Sequence, residues 1–215
     1  MLGSTALVEV NRTVPINESM RDATRNSNAN VVRTRYHMIK PDHWIRSFAA
    51  NGGILPFKPE QINPASYDVT LGNHWICPTR EPEESTADSF TLFPGEVILA
   101  TTQEYLKLPR DVVCDLKLKS SLGRLWLNHS LSGWIDCNFQ GQVTLELQNL
   151  GPYPRVLTAG MRVAQLVFMG MESPPEVAYG EGGRGHYQGQ TGTTRSWSDD
   201  FFPKVDSEST LKKGR

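Results

Sequence analysis

The spacing of apolar residues changes texture three times along this chain. Residues 1–37 are rich in Asn, Arg, Ser and Thr with little sustained period (NRTVPINESMRDATRNSNANVVRTR, from Asn11), which predicts a poorly ordered or peripheral extension. From Met38 the run MIKPDHWIRSFAANGG sets Ile39, Trp44, Ile45 and Phe48 on one helical face, with Pro41 in the first turn and Gly52-Gly53 as the stop. Between Ile54 and Met171 the pattern becomes short β-type runs broken by Pro, Gly, Asn and Asp: SYDVTLG, GEVILAT, VVCDLKL, QVTLELQNL, PRVLTA and RVAQLVFM. In QVTLELQNL the alternation is strict, with Val143, Leu145 and Leu147 on one face and Thr144, Glu146 and Gln148 on the other. Many short strands separated by turn signals predict a mainly β domain, a sandwich or jelly-roll-like barrel, over residues 38–179. SSLGRLWL, after a strand, predicts a short helix. Residues 180–215 are rich in Gly, Thr and Ser, then polar and charged, and read as a mobile arm. No internal repeat is present.

Composition narrows the setting. The 215 residues carry 22 basic and 23 acidic side chains, so no strong field advertises a nucleic-acid backbone as partner. The three cysteines, Cys77, Cys114 and Cys137, are odd in number and widely spaced, which points to a reducing, cytoplasmic environment. No apolar run reaches the roughly 20 residues of a membrane span, and no basic-then-apolar secretory leader is expected at the N-terminus.

Three stretches carry candidate chemistry. In KSSLGRLWL, Lys119, Ser120, Ser121 and Arg124 put two hydroxyls and two cations within six residues, a set able to wrap phosphate oxygens. If the serines open a helix, its first N–H groups add to that site. The same residues equally suit a Ser-capped amphipathic helix with solvated charges. In GWIDCNFQGQVTLELQN, Asp136 falls in a turn and Glu146 sits inside an apolar strand. An outward face makes Glu146 an ordinary solvated carboxylate; a closed site would raise its pKa and suit it to proton transfer. In AYGEGGRGHYQGQTGTTRSW, glycines give reach while Tyr179, His186, Tyr187 and Gln190 offer rings and hydrogen-bonding groups. That segment can close over a ligand, or be a plain glycine-rich tail; an RNA-binding arm is weaker, since aromatics are few. Several chemistries lack their signatures. There is no H-x-E with P-C-x-x-C for a zinc deaminase, no G-x-S-x-G, no P-loop and no strand-borne G-x-G-x-x-G.

Taken in order, ASYDVTLG (from Ala65), KSSLGRL, GWIDCNFQGQVTLELQN and HYQGQ resemble the dCTP deaminase family, which shares its fold with trimeric dUTPases. The resemblance runs from about Met38 to Trp197. It implies a distorted jelly-roll or β-barrel of the trimeric dUTPase-like type with a few short helices. It also implies a homotrimer with sites at subunit interfaces, and an arm that closes over them. By position, Glu146 matches the catalytic glutamate, where dUTPases lacking deaminase activity usually carry a small or apolar residue. Ser120 and Arg124 match residues of the pyrimidine-site water network and the phosphates, and Lys119 and Ser121 further phosphate ligands. Asp136 matches the residue near the sugar 3′-hydroxyl that in dUTPases also positions the hydrolytic water. Tyr179 and Gln190 match tail contacts to the triphosphate, with His186 where a lysine often stands. Trp134 and Gln148, in the same motif as the carboxylates, join the substrate-binding set.

The activity implied is zinc-independent hydrolytic deamination of dCTP, serving dTTP supply. Mg²⁺ enters on the triphosphate, the protein itself holds no metal, and dTTP is an expected inhibitor. The product is dUTP, or dUMP plus diphosphate in a bifunctional member; GWID and YQGQ resemble the bifunctional type. One departure is Leu131-Ser132, where the family usually has Thr-Ala beside the base, a change that bears on recognition of the pyrimidine and on the response to dTTP. Two other readings stand beside the first: a dUTPase without deaminase activity, and a non-catalytic nucleotide-sensing trimer.

Overall fold

The strand Ser66–Ile76 organises the molecule. In the computed structural model, which describes residues 39–129 and 133–197, this strand (β3) pairs along its first half with β12 (Arg162–Gly170) and along its second half with β6 (Val97–Lys107). Its register against β6 shifts between Leu71 and Trp75, and within that stretch Gly72 packs so closely that an added Cβ would lie 2.6 Å from Thr101 Cγ2. Only a residue without a side chain permits that approach. The sheet runs β8-β10-β6-β3-β12-β7-β9 and every pairing is antiparallel, with β10 at Gln140–Asn149, β7 at Val112–Leu118, β8 at Leu127–Asn128 and β9 at Trp134–Ile135. Short strands β1 (Ile54–Leu55), β2 (Ile62–Asn63) and β4 (Glu84–Thr86) add to its edges, and β5 (Ser89–Leu92) pairs with β11 (Arg155–Thr158) in a second sheet. This is the mainly β architecture that the strand pattern predicts.

The alternation in β10 puts Val143, Leu145 and Leu147 into the core, where they meet Ile98, Ala100, Trp75 and Leu71 from β6 and β3. Asn149 ends β10 fully buried: its amide donates to the carbonyls of Leu92 (3.0 Å) and Tyr153 (2.8 Å) and its oxygen accepts from Gly151 N–H (2.9 Å). One side chain thus ties the main sheet to the β5–β11 pair. Helix α1 (Asp42–Ala50) covers one end of the core with Ile45 and Ala49, while Trp44 and Phe48 stack at 5.0 Å and Phe48 meets Phe168 edge-on at 5.5 Å. Each such aromatic pair adds about 0.5–1.5 kcal/mol beyond area burial. Pro41 is the N-cap, one place before the helix, and Ile39 lies outside it, bridged to Met169 and half exposed. The helix is therefore shorter at its start than the apolar period predicts.

The extension 1–37, Leu131-Ser132 and residues beyond 197 lie outside the described residues. Among the described residues, no helix is long and apolar enough to cross a membrane. All three cysteines are buried free thiols, and burial pushes Cys114 and Cys137 above the ordinary thiol value of 9.0.

Candidate active site

A cavity of about 470 Å³ opens between β10, β9 and the segment that follows β12. Its walls join two of the sequence-predicted stretches: Glu146 from β10, Trp134 and Asp136 from and just after β9, and Tyr179 and Gln190 from the C-terminal segment. Glu146 reaches the cavity because β10 is pleated. With Leu145 and Leu147 turned inward, its side chain takes the opposite face beside Thr144, and its ladder partner on β6 is Leu99, which also lines the cavity. Both faces of β10 are thus covered, one by the core and one by this pocket, and Glu146 is partly buried. Leu116, Ile135, Phe139 and Val143 supply apolar wall, so charges inside are less screened than at an open surface.

The C-terminal segment is laid against β10 by a ladder of specific bonds. Gly189 N–H donates to Gln140 O (2.7 Å), Gln142 N–H to Gln190 O (3.0 Å), Gln190 Nε2 to Gln142 O (2.6 Å) and Gly192 N–H to Gln142 Oε1 (2.6 Å). Farther on, Thr194 N–H donates to Thr144 Oγ1 at 3.3 Å, and Thr193 N–H donates to His74 Nδ1 at 3.1 Å. Arg195 pairs with Glu83 and Glu84 on the β3–β4 side, while its side chain also borders the cavity. Gly185 sits at φ +91°, where a Cβ would lie 2.6 Å from Gly180 N, so this turn needs glycine. Burial raises the Tyr179 phenol above its usual 10.0; the Tyr187 N–H that it accepts works against this, and the charge of Asp136 adds to it.

The third stretch stands apart. Among the described residues, Lys119, Ser120, Ser121 and Arg124 are not part of the cavity wall. Ser120–Gly123 form a single helical turn (α2) with both serines and Arg124 exposed, while the Lys119 ammonium lies 2.7 Å from Asp68, a carboxylate only 2% exposed. Gln148 is likewise off the wall, and His186 is stacked on Trp197 at 3.7 Å. Sequence reasoning missed Thr144, Leu99, Thr194 and Ser196 as lining residues; only Thr144 carried a signal, as the partner of Glu146 in the alternation. It also passed over His129. Burial holds that imidazole below its ordinary 6.5, with the Glu146 main chain as the largest opposing influence. Among the described residues no group of three or more His, Cys, Asp or Glu side chains is arranged to hold a metal ion.

The antiparallel sheet and its carboxylate-lined cavity define a dUTPase-like β protein with one candidate site among the described residues. Within that class the chain belongs to the dCTP deaminase-like family, whose model matches residues 39–171. It is 42% identical over 180 residues to a "dCTP deaminase, dUMP-forming" of Corynebacterium kroppenstedtii, covering 74% of this chain and 96% of that one. It is 41% identical over 191 residues to the protein of the same description from Acidothermus cellulolyticus, covering 78% and 100%. Among solved structures it resembles the 2′-deoxycytidine 5′-triphosphate deaminase of Agrobacterium tumefaciens, with a TM-score of 0.53 and 24% identity over 62% of this chain. The match spans 48% of that protein, and the likeness there is one of fold.

Proposed function

We propose that this protein deaminates dCTP hydrolytically and also releases diphosphate, giving dUMP. The observation that carries the reading is Glu146 turned off the core face of β10 into a partly apolar cavity that Asp136 also lines. Membership of the dCTP deaminase-like family and relatives described as dUMP-forming support it. Glu146 takes a proton from water, whose oxygen bonds to C4 of the cytosine as the C4=N3 π pair moves onto N3. The tetrahedral intermediate collapses as that pair re-forms the bond to C4, the glutamic acid gives its proton to the exocyclic amine and ammonia leaves; the C4 hydroxyl proton then passes to N3 to give uracil. Positioned proton transfer of this kind contributes roughly 10²- to 10⁴-fold. No zinc takes part in this scheme: the substrate is Mg·dCTP, with the cation on the triphosphate oxygens.

The remaining assignments follow from the same reading. Asp136 serves the sugar and the water that attacks the α-phosphate, Tyr179, His186 and Gln190 serve the triphosphate, and Trp134 and Gln148 serve the nucleoside. The segment from residue 180 acts as the closing arm. Ser120, Ser121, Arg124 and Lys119 complete the site from a neighbouring copy in a homotrimer, which accounts for their separation from the cavity of a single chain. The setting is cytoplasmic and dTTP is an inhibitor.

The test is product analysis by chromatography with an ammonia assay after incubation with Mg·dCTP. Wild type is expected to yield ammonia, diphosphate and dUMP, and Glu146→Gln to lose ammonia release by at least about 100-fold. Full ammonia release by Glu146→Gln overturns the assignment; diphosphate from dUTP with no ammonia from dCTP identifies a dUTPase instead.

A further inference from the structure

Strand β9 is two residues long, yet its position is tightly fixed. Leu116 N–H donates to Gly133 O at 2.7 Å, Trp134 pairs with Asp115 and Ile135 with Cys114 in the β7 ladder, and a Cβ on Gly133 would lie 2.8 Å from Leu116 O. Ile135 turns inward and is 7% exposed. Trp134, Ile135 and Asp136 all line the cavity, and the side chains of Trp134 and Asp136, two places apart, meet there. Trp134 is 57% exposed, so its ring is accessible at the cavity rim. Its single polar atom is committed: the indole Nε1–H donates to Asp136 Oδ1 at 3.1 Å.

We infer that Trp134 is a positioning residue for Asp136, and that this bond favours the diphosphate-releasing half of the reaction over deamination. The inference rests on the function proposed above. An exposed aspartate on a turn samples several rotamers. A donor on a planar ring with two side-chain torsions, rooted in a fixed strand, restrains it and engages only one of its two oxygens. In the second half-reaction the water oxygen bonds to the α-phosphorus and the bond to the bridging oxygen breaks. Diphosphate departs with that electron pair, and the proton of the water passes to Asp136 and then to solvent. A carboxylate held in one orientation loses little freedom in reaching that arrangement. Deamination depends on Glu146, on another strand, and is less sensitive to how Asp136 is aimed.

The test compares wild type with Trp134→Phe, which keeps a ring and removes the N–H. Ammonia and diphosphate release from Mg·dCTP are followed in the same reaction, with dUTP and dUMP resolved by chromatography. Diphosphate release is expected to fall about tenfold further than ammonia release, with dUTP accumulating, as suits the loss of one hydrogen bond to a charged group. Equal loss of both products, with wild type still forming dUMP, overturns the inference and leaves the proposed function standing. Wild type that stops at dUTP, or that produces no ammonia, overturns both. A second readout is independent of turnover. The Trp134 indole N–H resonance, assigned by its absence in Trp134→Phe, is expected to move upfield in Asp136→Asn, whereas an unchanged position shows that the bond does not hold Asp136 in solution.

Discussion

If the site is shared between copies of the chain, two inactive variants must rescue each other. Glu146→Ala removes the carboxylate inside the cavity, whereas Arg124→Ala removes a cation from the exposed turn after β7, outside that cavity. In an oligomer whose sites each join the Glu146 face of one subunit to the Arg124 turn of the next, each subunit of an equal, freely mixed population carries one lesion or the other. A site is intact when its first subunit has kept Glu146 and its neighbour has kept Arg124. A trimer that holds both variants has one such junction whichever variant it holds twice, so about a third of the sites recover in the doubly purified assembly. The experiment co-expresses the two variants with different affinity tags, purifies on both in succession and measures ammonia release per subunit, with light scattering to establish a trimer of 24.0 kDa chains. Either variant alone is expected near background. If the doubly tagged assembly also stays at background, Glu146 and Arg124 act within one chain and the shared-site argument fails; activity in Arg124→Ala alone shows that Arg124 is not needed.

Two further outcomes follow from buried polar groups. Asn149→Asp replaces an amide that donates to two carbonyls with a carboxylate facing them, in a fully buried position, and should cost about 3–5 kcal/mol in urea denaturation at neutral pH; a loss under about 1 kcal/mol would show that Asn149 does not couple the two sheets. His129 gives a pH dependence. Because the folded imidazole sits below 6.5, the unfolded chain binds a proton that the native state resists, so this contribution is fully present above 6.5 and is lost as pH falls through the depressed value. Stability should decline as pH falls below about 6.5 in wild type and less steeply in His129→Asn, and parallel curves would remove His129 as the cause.

How much of this was legible depends on the range of the interaction involved. The run VVCDLKL became β7 residue for residue because alternation and β-branched content are local properties. Strands such as β1, β8 and β9 are two residues long and offer no period to read; they exist because neighbouring strands supply hydrogen bonds. The alternation told that Glu146 opposes Leu145 and Leu147, but not what covers its face. That was decided by Leu99, across the ladder, and by a segment some 40–50 residues downstream. Glycine content made that segment read as a mobile arm, yet its bonds to β10 come from main-chain groups and from Gln142 and Gln190, which composition does not reveal. Lys119 read as a phosphate ligand from its neighbours in sequence, while its nearest charge, on Asp68, lies 51 residues away.

The placement of these groups also bears on why the proposed chemistry divides as it does. Glu146 stands on a ten-residue strand bonded to β6 along its length, and Asp136 is steadied by Trp134, so the two carboxylates are carried by sheet and by a side chain rooted in sheet. Proton transfer and in-line attack tolerate little misplacement, and rigid elements suit them. The triphosphate is larger and must enter and leave, and the residues offered for it lie on a one-turn helix and on a glycine-rich segment. Lys119 links the two regimes. Its bond to buried Asp68 on β3 anchors the start of the Ser120–Arg124 turn to the same strand that pairs with both β12 and β6. A change at Asp68 should therefore be felt in nucleotide binding as well as in stability, whereas a change at Arg124, exposed at the far end of the turn, should be felt in binding alone.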